Sequence, residues 1–517
     1  MTCSASPARL LRANAVSISP LWIALFLFFL TLALRLPFVS QTLNHWDSVN
    51  HALALTSFNI AIHRPQPPGY IVYIGMGRLI NFFFPDPQTA LVLLSVLASA
   101  LAVTLLFLLG TRMFSRTTGL IAALLLLTSP AFWFDGLVAL PYVVEGCFSV
   151  ALALLLYALW QGERRVAPLA AVGFALAVGA RQQMSFFFAP LVLYVYWRQV
   201  WRVRIEALLW FTFVCLLWFV PLTASVGGLL PYIAVVRAEN AAFTEQYVLF
   251  GTGGALALFR NAELIGTFTL YAMNLSLVPL SYAVVARVRA QVPFWQSERV
   301  RFLILWTAPS LVFYLFFHMG SPGLIYVYLA ALFLVAATGV VWLTRSAAMW
   351  RVAFVIMLCA VNVFLFFGTP PDLYTGRDLR VLNYSSLREH DLSLTARVQA
   401  IRQHFNPQTT LILSNDWRFA EYYLPEYRVL FFSGDRAKPL IAAFGKQEVY
   451  TRPANLAWNL QNIRTIVLFD AQAVAFYKGS APAQCLTIAD RTCLTFYAVP
   501  DALALTIRAD GLAEKLP

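Results

Sequence analysis

Residues Thr89–Gly110 read TALVLLSVLASALAVTLLFLLG, twenty-two residues without a charge. A helix needs about 20 consecutive apolar residues to cross the hydrocarbon core of a bilayer, so this stretch predicts a membrane span. Working outward, similar runs predict spans over about 20–39, 88–110, 118–134, 139–160, 166–180, 183–197, 207–226, 262–283, 302–317, 323–343 and 352–369. The fifth and sixth are short and read equally as one broken pair around Arg181. The run Leu21–Leu36 is long and lacks a small-residue cleavage site. It reads as the first span rather than as a removed signal.

The composition fits this pattern. The chain is 60% hydrophobic and 12% charged, with a mean hydropathy of +0.70. Soluble domains carry about 25% charged residues. The net charge of +13 does not describe a nucleic-acid face, because the basic residues sit in short clusters between apolar runs, as the positive-inside rule expects. The only lysines are Lys438, Lys446, Lys478 and Lys515, so any phosphate contact in the membrane part falls to arginine.

The arginines also set orientation. Arg9 and Arg12; Arg112 and Arg116; Arg164 and Arg165; Arg198, Arg202 and Arg204; Arg287, Arg289, Arg299 and Arg301; and Arg345 and Arg351 fall on one side of the eleven spans, which is then cytoplasmic. The opposite connections carry Asp47, Asp86, Asp135, Glu239, Glu245 and Glu263. An odd number of spans places the C-terminus outside. After about Gly368 the composition turns polar, with β-rich runs at 411–414, 428–432 and 465–470 and a helical stretch at 392–404. The expected fold is therefore an α-helical polytopic membrane domain over 1–369, followed by a small soluble α/β domain over 370–517. Cys147, Cys215 and Cys359 lie in apolar runs and read as packing residues. Cys3 is in the N-terminal tail. Cys485 and Cys493 flank a segment in which Ala489-Asp490-Arg491 can turn, and an oxidising compartment predicts a disulfide between them.

Two outside connections are long. Ser40–Pro87 has a helical pattern with His51, Leu55, Phe58 and Ile62 on one face, then a second apolar stretch, Tyr70–Phe84. Both read as helices at the membrane surface. The other long loop runs from about Gly227 to Asn261. Within the first loop, Leu43-Asn44-His45-Trp46-Asp47-Ser48 is followed by His63-Arg64-Pro65-Gln66-Pro67-Pro68-Gly69-Tyr70. A carboxylate at Asp47, just outside the first span, could accept a proton from a nucleophile or hold a divalent cation. It could equally cap the helix that follows. Asp47 and His51 are four apart and are the candidate ligands if a metal is used. Zinc sites usually take three or four ligands, and no cofactor is certain.

The acid early in the first outside loop, the Pro-Pro-Gly-Tyr entry into a surface helix, the turn Gly110-Thr111-Arg112-Met113-Phe114-Ser115-Arg116 and the span ending Leu127-Thr128-Ser129-Pro130 together resemble the GT-C glycosyltransferases. The similar branch holds the bacterial protein O-mannosyltransferases and the lipid A aminoarabinose transferase. That resemblance implies a sugar donor on a polyprenyl phosphate, an essential acid at the position of Asp47, and a bacterial inner (plasma) membrane location with the C-terminal domain periplasmic. His45-Trp46-Asp47-Ser48 stands where many relatives have an Asp-Glu pair.

Asp135, in the second outside loop, and Glu145, within the next span, are further candidate acids; an acid inside a span is costly and usually faces a cavity or a partner. Arg181 is the candidate ligand for the donor phosphate, since guanidinium grips phosphate bidentately. Arg237 and Arg260 compete for that role. A structural ion pair is the alternative for all of these. His51, His63, Gln66, Tyr70 and His318, the last in the turn His318-Met319-Gly320-Ser321-Pro322-Gly323, are candidate substrate contacts. The expected activity is inverting transfer from a polyprenyl-phosphate sugar to a hydroxyl or amine of an envelope glycan, lipid or protein. A transporter or flippase of a lipid-linked sugar is the alternative, although no repeated halves with broken helices are visible. A non-catalytic scaffold would leave Asp47, Glu145 and Arg181 without a shared purpose.

Overall fold

The computed structural model describes residues 19–514 apart from 252, 291–295, 372–373, 376–378, 381, 416–417, 432–439, 445–446, 452–458, 461, 478, 489–491, 500–504 and 509–510. Cys3, Arg9, Arg12, the four lysines and the turn Ala489-Asp490-Arg491 lie outside the described residues.

The membrane part is helical throughout. α1 (Pro20–Arg35) is followed, in the first long loop, by α2 (Trp46–Thr56) and α3 (Ile71–Phe83). Then come α4 (Pro87–Met113), α5 (Arg116–Thr128), α6 (Pro130–Asp135), α7 (Tyr142–Trp160), α8 (Ala167–Ala180), α9 (Met184–Trp197) and α10 (Trp201–Ala224). α11 (Leu229–Tyr247), α12 (Gly254–Met273), α13 (Leu277–Arg289), α14 (Glu298–Phe316), α15 (Tyr326–Leu343) and α16 (Ala348–Phe367) complete it.

Every expected span is helical, but among the described residues eight segments are long and apolar enough to cross a membrane. The third, fifth and sixth expected spans are helices of 13, 14 and 14 residues. At about 1.5 Å per residue a 14-residue helix is roughly 21 Å long, short of the roughly 30 Å core. The causes are local. Pro130 pushes Ser129 to ψ 122°, because a residue before proline is disfavoured in the helical region, and the expected 118–134 span divides there. Arg181 is extended, at φ −154° and ψ 117°, and separates α8 from α9. In the first loop the helix stops at Thr56, so Phe58 and Ile62 do not continue the face of His51 and Leu55. The second long loop is not a loop alone, since α11 fills most of it.

The centre of the bundle is α4, α7 and α15, each buried along most of its length. α5 crosses α4 where Gly110 meets Gly119; a Cβ on Gly110 would lie 2.6 Å from the Gly119 Cα. Small residues allow this close backbone approach in membrane helices. α1, α10 and α16 show outward rows of exposed leucine, phenylalanine and tryptophan, such as Phe26, Phe213 and Phe364, the surface that lipid would cover. α3 does the same through Leu79, Phe82 and Phe83.

Beyond α16 the chain forms α17 (Tyr384–His404), α18 (Phe419–Tyr423) and a seven-stranded sheet. Strands Thr410–Ser414, Arg428–Phe431 and Thr465–Leu468 correspond to the three β-rich runs. The first of these lies between the other two and is parallel to both. Antiparallel strands extend the sheet on either side. α17 opens with a capping box between Asn383 and Ser386, which satisfies donors left orphaned at the helix start. Cys485 and Cys493 are joined by a disulfide across the antiparallel pair Ala483–Thr487 and Cys493–Ala498, while Cys147, Cys215 and Cys359 are free.

Candidate active site

α2 begins two residues earlier than a cap at Asp47 requires. His45 is the N-cap, and its Nδ1 accepts from the Asp47 backbone N–H at 3.1 Å. An Nδ1 that accepts is unprotonated, and burial lowers the His45 pKa to about 3, helped by His390. The 3.5 Å approach of Asp47 Oδ2 to this ring is therefore contact with a neutral imidazole. Asp47 itself stands in the first turn, where the helix dipole favours negative charge. Its side chain keeps about a fifth of its surface exposed. Burial pushes its pKa up to about 7; Arg181 acts against this and Glu239 adds to it.

Arg181 projects from the break between α8 and α9. Its Nη1 donates to Glu145 Oε2 at 2.7 Å and its Nε to Gln183 Oε1 at 3.2 Å. Nη2 has no hydrogen-bond partner among the described residues, and the side chain remains 10% exposed. Glu145 is 1% exposed, and its Oε1 has no hydrogen-bond partner among them. The first loop closes over this point. The Pro68 carbonyl accepts from Gln182 Nε2 at 3.4 Å and from the Tyr232 hydroxyl at 3.1 Å. Gly69 has φ +122°, and a Cβ there would lie 2.6 Å from Leu222 Cδ1; the turn needs glycine for both reasons.

The expected site residues are thus partly gathered. The charges of Asp47, Glu145 and Arg181 all reach the Tyr70 hydroxyl, and Arg181 and Arg260 both reach His318. Burial, together with the charges of the two arginines, lowers the His318 pKa to about 4. Asp135 sits to one side, 2% exposed, accepting from the Tyr326 hydroxyl at 2.7 Å. Arg237 is exposed on α11, and nothing among the described residues ties it to Arg181. His63 faces Glu239, with Nε2 and Oε2 3.6 Å apart. The Gln66 side-chain carbonyl is buried without a hydrogen-bond partner.

The metal pair does not converge. The His51 ring is fully buried, edge-on to Tyr70 and Tyr73 at 5.3 and 5.1 Å, and is not within ion-pair distance of Asp47. Burial lowers its pKa to about 3. No group of three or more His, Cys, Asp or Glu among the described residues is placed to hold a metal ion. Sequence reading passes over Tyr142, a buried side chain that the charges of both Asp47 and Arg181 reach. It also missed Arg35, fully buried with its guanidinium 4.2 Å above the Trp133 ring. A tyrosine or arginine at the end of an apolar run looks like an interfacial anchor, so neither carried a signal.

Residues 66–224, 159 of the 517, match the family model for dolichyl-phosphate-mannose-protein mannosyltransferase. That stretch holds Pro67-Pro68-Gly69-Tyr70, Asp135, Glu145 and Arg181. No curated protein matches the chain. Among solved structures it is similar to ArnT from Cupriavidus metallidurans in the apo state, at 13% identity and TM-score 0.48, over 80% of this chain and 85% of that one. The ArnT structure bound to undecaprenyl phosphate is similar to the same degree, over 80% and 86%. The Archaeoglobus fulgidus oligosaccharyltransferase in the apo form is similar at 12% identity and TM-score 0.45, over 80% and 64%. Likeness at that level says nothing about substrate. The family match falls on the stretch that holds both the Pro67-Pro68-Gly69-Tyr70 turn and Arg181, so this part of the chain is similar to the dolichyl-phosphate-mannose-protein mannosyltransferases.

Proposed function

We propose that this protein is a membrane glycosyltransferase of the GT-C superfamily, which moves a sugar from a polyprenyl-phosphate monosaccharide to a hydroxyl or amine at the outer face of a bacterial inner membrane, with inversion. The observation that carries the reading is the Nη2 of the otherwise buried Arg181, which has no hydrogen-bond partner among the described residues, on a side chain whose charge acts on Asp47. Asp47 takes the acceptor proton as the acceptor oxygen or nitrogen bonds to the anomeric carbon. The carbon–oxygen bond to phosphate breaks on the opposite face, and a single displacement inverts the centre. Charge grows on the departing polyprenyl phosphate, where preorganised donors act most strongly. Arg181 meets it directly, Glu145 holds the guanidinium in place, and Arg260 adds to the field. The acceptor is an envelope glycan, lipid or protein, reached from the side of the domain over 370–517.

The test is to incubate purified protein in detergent with a panel of polyprenyl-phosphate sugars and an envelope extract. Release of free polyprenyl phosphate, with sugar appearing on an acceptor, is the expected result. Movement of intact donor across proteoliposomes without release would replace this reading with the flippase.

A further inference from the structure

The backbone leading into Asp47 is held from outside the membrane part. Residues 39–44 form no helix or strand, so their backbone donors need other partners. Asp391, on α17 and 2% exposed, supplies them. Its Oδ1 accepts from Thr42 N at 2.9 Å, Thr42 Oγ1 at 2.7 Å and Ser40 Oγ at 3.0 Å. Its Oδ2 accepts from Gln41 N at 2.9 Å. The next residue is held at both ends: Leu43 N donates to the Tyr423 hydroxyl at 2.7 Å, and Leu43 O lies 3.1 Å from His390 Nε2. Tyr423 in turn reaches Gln88 Oε1 at 3.1 Å. The far end of the loop is fastened separately. Arg64 Nη2 donates to Glu421 Oε1 at 2.6 Å and Arg418 Nη2 to Ile62 O at 2.5 Å.

All four of these hydrogen bonds to Asp391 go to one three-residue segment of the membrane part. A carboxylate placed only to stabilise α17 would find its close partners within its own domain, where Asp391 has Arg388 Nη1 at the longer distance of 4.0 Å. Three residues beyond Leu43, α2 begins, and Asp47 lies in its first turn. We infer that Asp391 is a positioning residue for Asp47, and that the C-terminal domain belongs to the transfer apparatus because it seats residues 40–43. This rests on the proposed role of Asp47. Asparagine at 391 keeps the size and one acceptor but sets an N–H against either Gln41 N or the donors of Thr42, and the segment must shift.

The experiment uses the full chain in detergent and compares Asp391→Asn with Asp470→Asn. Asp470 makes a matched set of contacts, to Ser414 Oγ, Asn415 N and Ala473 N, without touching the first loop. Two quantities are read: amide hydrogen exchange at Gln41 and Thr42, and kcat and KM for the donor. Asp391→Asn is expected to speed exchange at those two amides at least tenfold. It should lower kcat about tenfold or more while leaving donor KM within about twofold. Asp470→Asn should change neither exchange at those amides nor kcat. Unchanged exchange in Asp391→Asn overturns the clamp, and this readout needs no activity. Faster exchange with wild-type kcat overturns the positioning role. Equal losses in both variants reduce Asp391 to a stabilising residue. A wild-type protein inactive toward every polyprenyl-phosphate sugar, with the exchange difference intact, sinks the proposed function and leaves the clamp standing.

Discussion

Arg181 and Glu145 form a buried ion pair, Nη1 to Oε2 at 2.7 Å, that joins the first turn of α7 to the break between α8 and α9. Two consequences follow from its geometry. The pair fixes the direction of the guanidinium, and it leaves Nη2 for a ligand. Removing one partner of a buried pair costs about 3–5 kcal/mol, because the other charge is left uncompensated.

Arg181→Gln should weaken binding of undecaprenyl phosphate by roughly 10- to 150-fold, the equivalent of about 1.5–3 kcal/mol for a hydrogen bond to a charged group. Glu145→Gln keeps a hydrogen-bond acceptor for Nη1, and should retain binding within about tenfold of wild type on the same scale while slowing turnover. Titration calorimetry in detergent checks both. Wild-type binding by Arg181→Gln would remove the phosphate role.

Asp47→Asn should lower transfer by about 10²–10⁴-fold, the usual contribution of a general base. The folded yield should stay normal, because the cap of α2 is His45 and not Asp47. Asp86→Asn is the control. Asp86 caps α4, accepting from Thr89 N at 2.8 Å and Thr89 Oγ1 at 2.6 Å, and asparagine caps about as well as aspartate. Near-normal transfer by Asp47→Asn would move the base to Asp135 or Glu145.

The pH dependence has a definite sign. Burial favours the neutral form of Asp47 and pushes its pKa up to about 7. The base form dominates only above that value, so kcat/KM should rise as pH climbs through about 7. Glu239 adds to the upward shift and Arg181 opposes it. Glu239→Gln should therefore move the acid limb to lower pH, and Arg181→Gln, where measurable, to higher pH. A flat profile through that region would take Asp47 out of the proton transfer.

Orientation is open to a reporter assay. A reporter active only outside the cytoplasm should work when fused after Asp372 and fail when fused after Arg204. The reverse pattern would invert the topology and put Asp47 on the cytoplasmic side.

The membrane part was legible because a bilayer imposes one rule on every span: about 20 apolar residues, all backbone groups satisfied within the helix. Where that rule was applied too evenly, local chemistry overrode it. Pro130 and Arg181 end helices that hydropathy alone would run on. The strands at 410–414, 428–431 and 465–468 were likewise readable, because β-branched runs between polar turns are a local signal. Asp47, Glu145 and Arg181 stood out one at a time, since charge beside or within an apolar run is costly.

What the sequence by itself determined is therefore what neighbours along the chain decide: the helices, most of their ends, the sheet region and the short list of costly charges. Tertiary structure alone decided which charges meet. Arg181 and Glu145 are 36 residues apart, and Asp391 reaches Thr42 across 349. No periodicity encodes such a pair, because it depends on how helices pack and where a distant domain sits. The same applies to His45, which takes the cap from Asp47, and to His51, whose ring packs edge-on to Tyr70 and Tyr73. Each was settled by which side chain had a partner once water was excluded, and burial is a property of the folded chain.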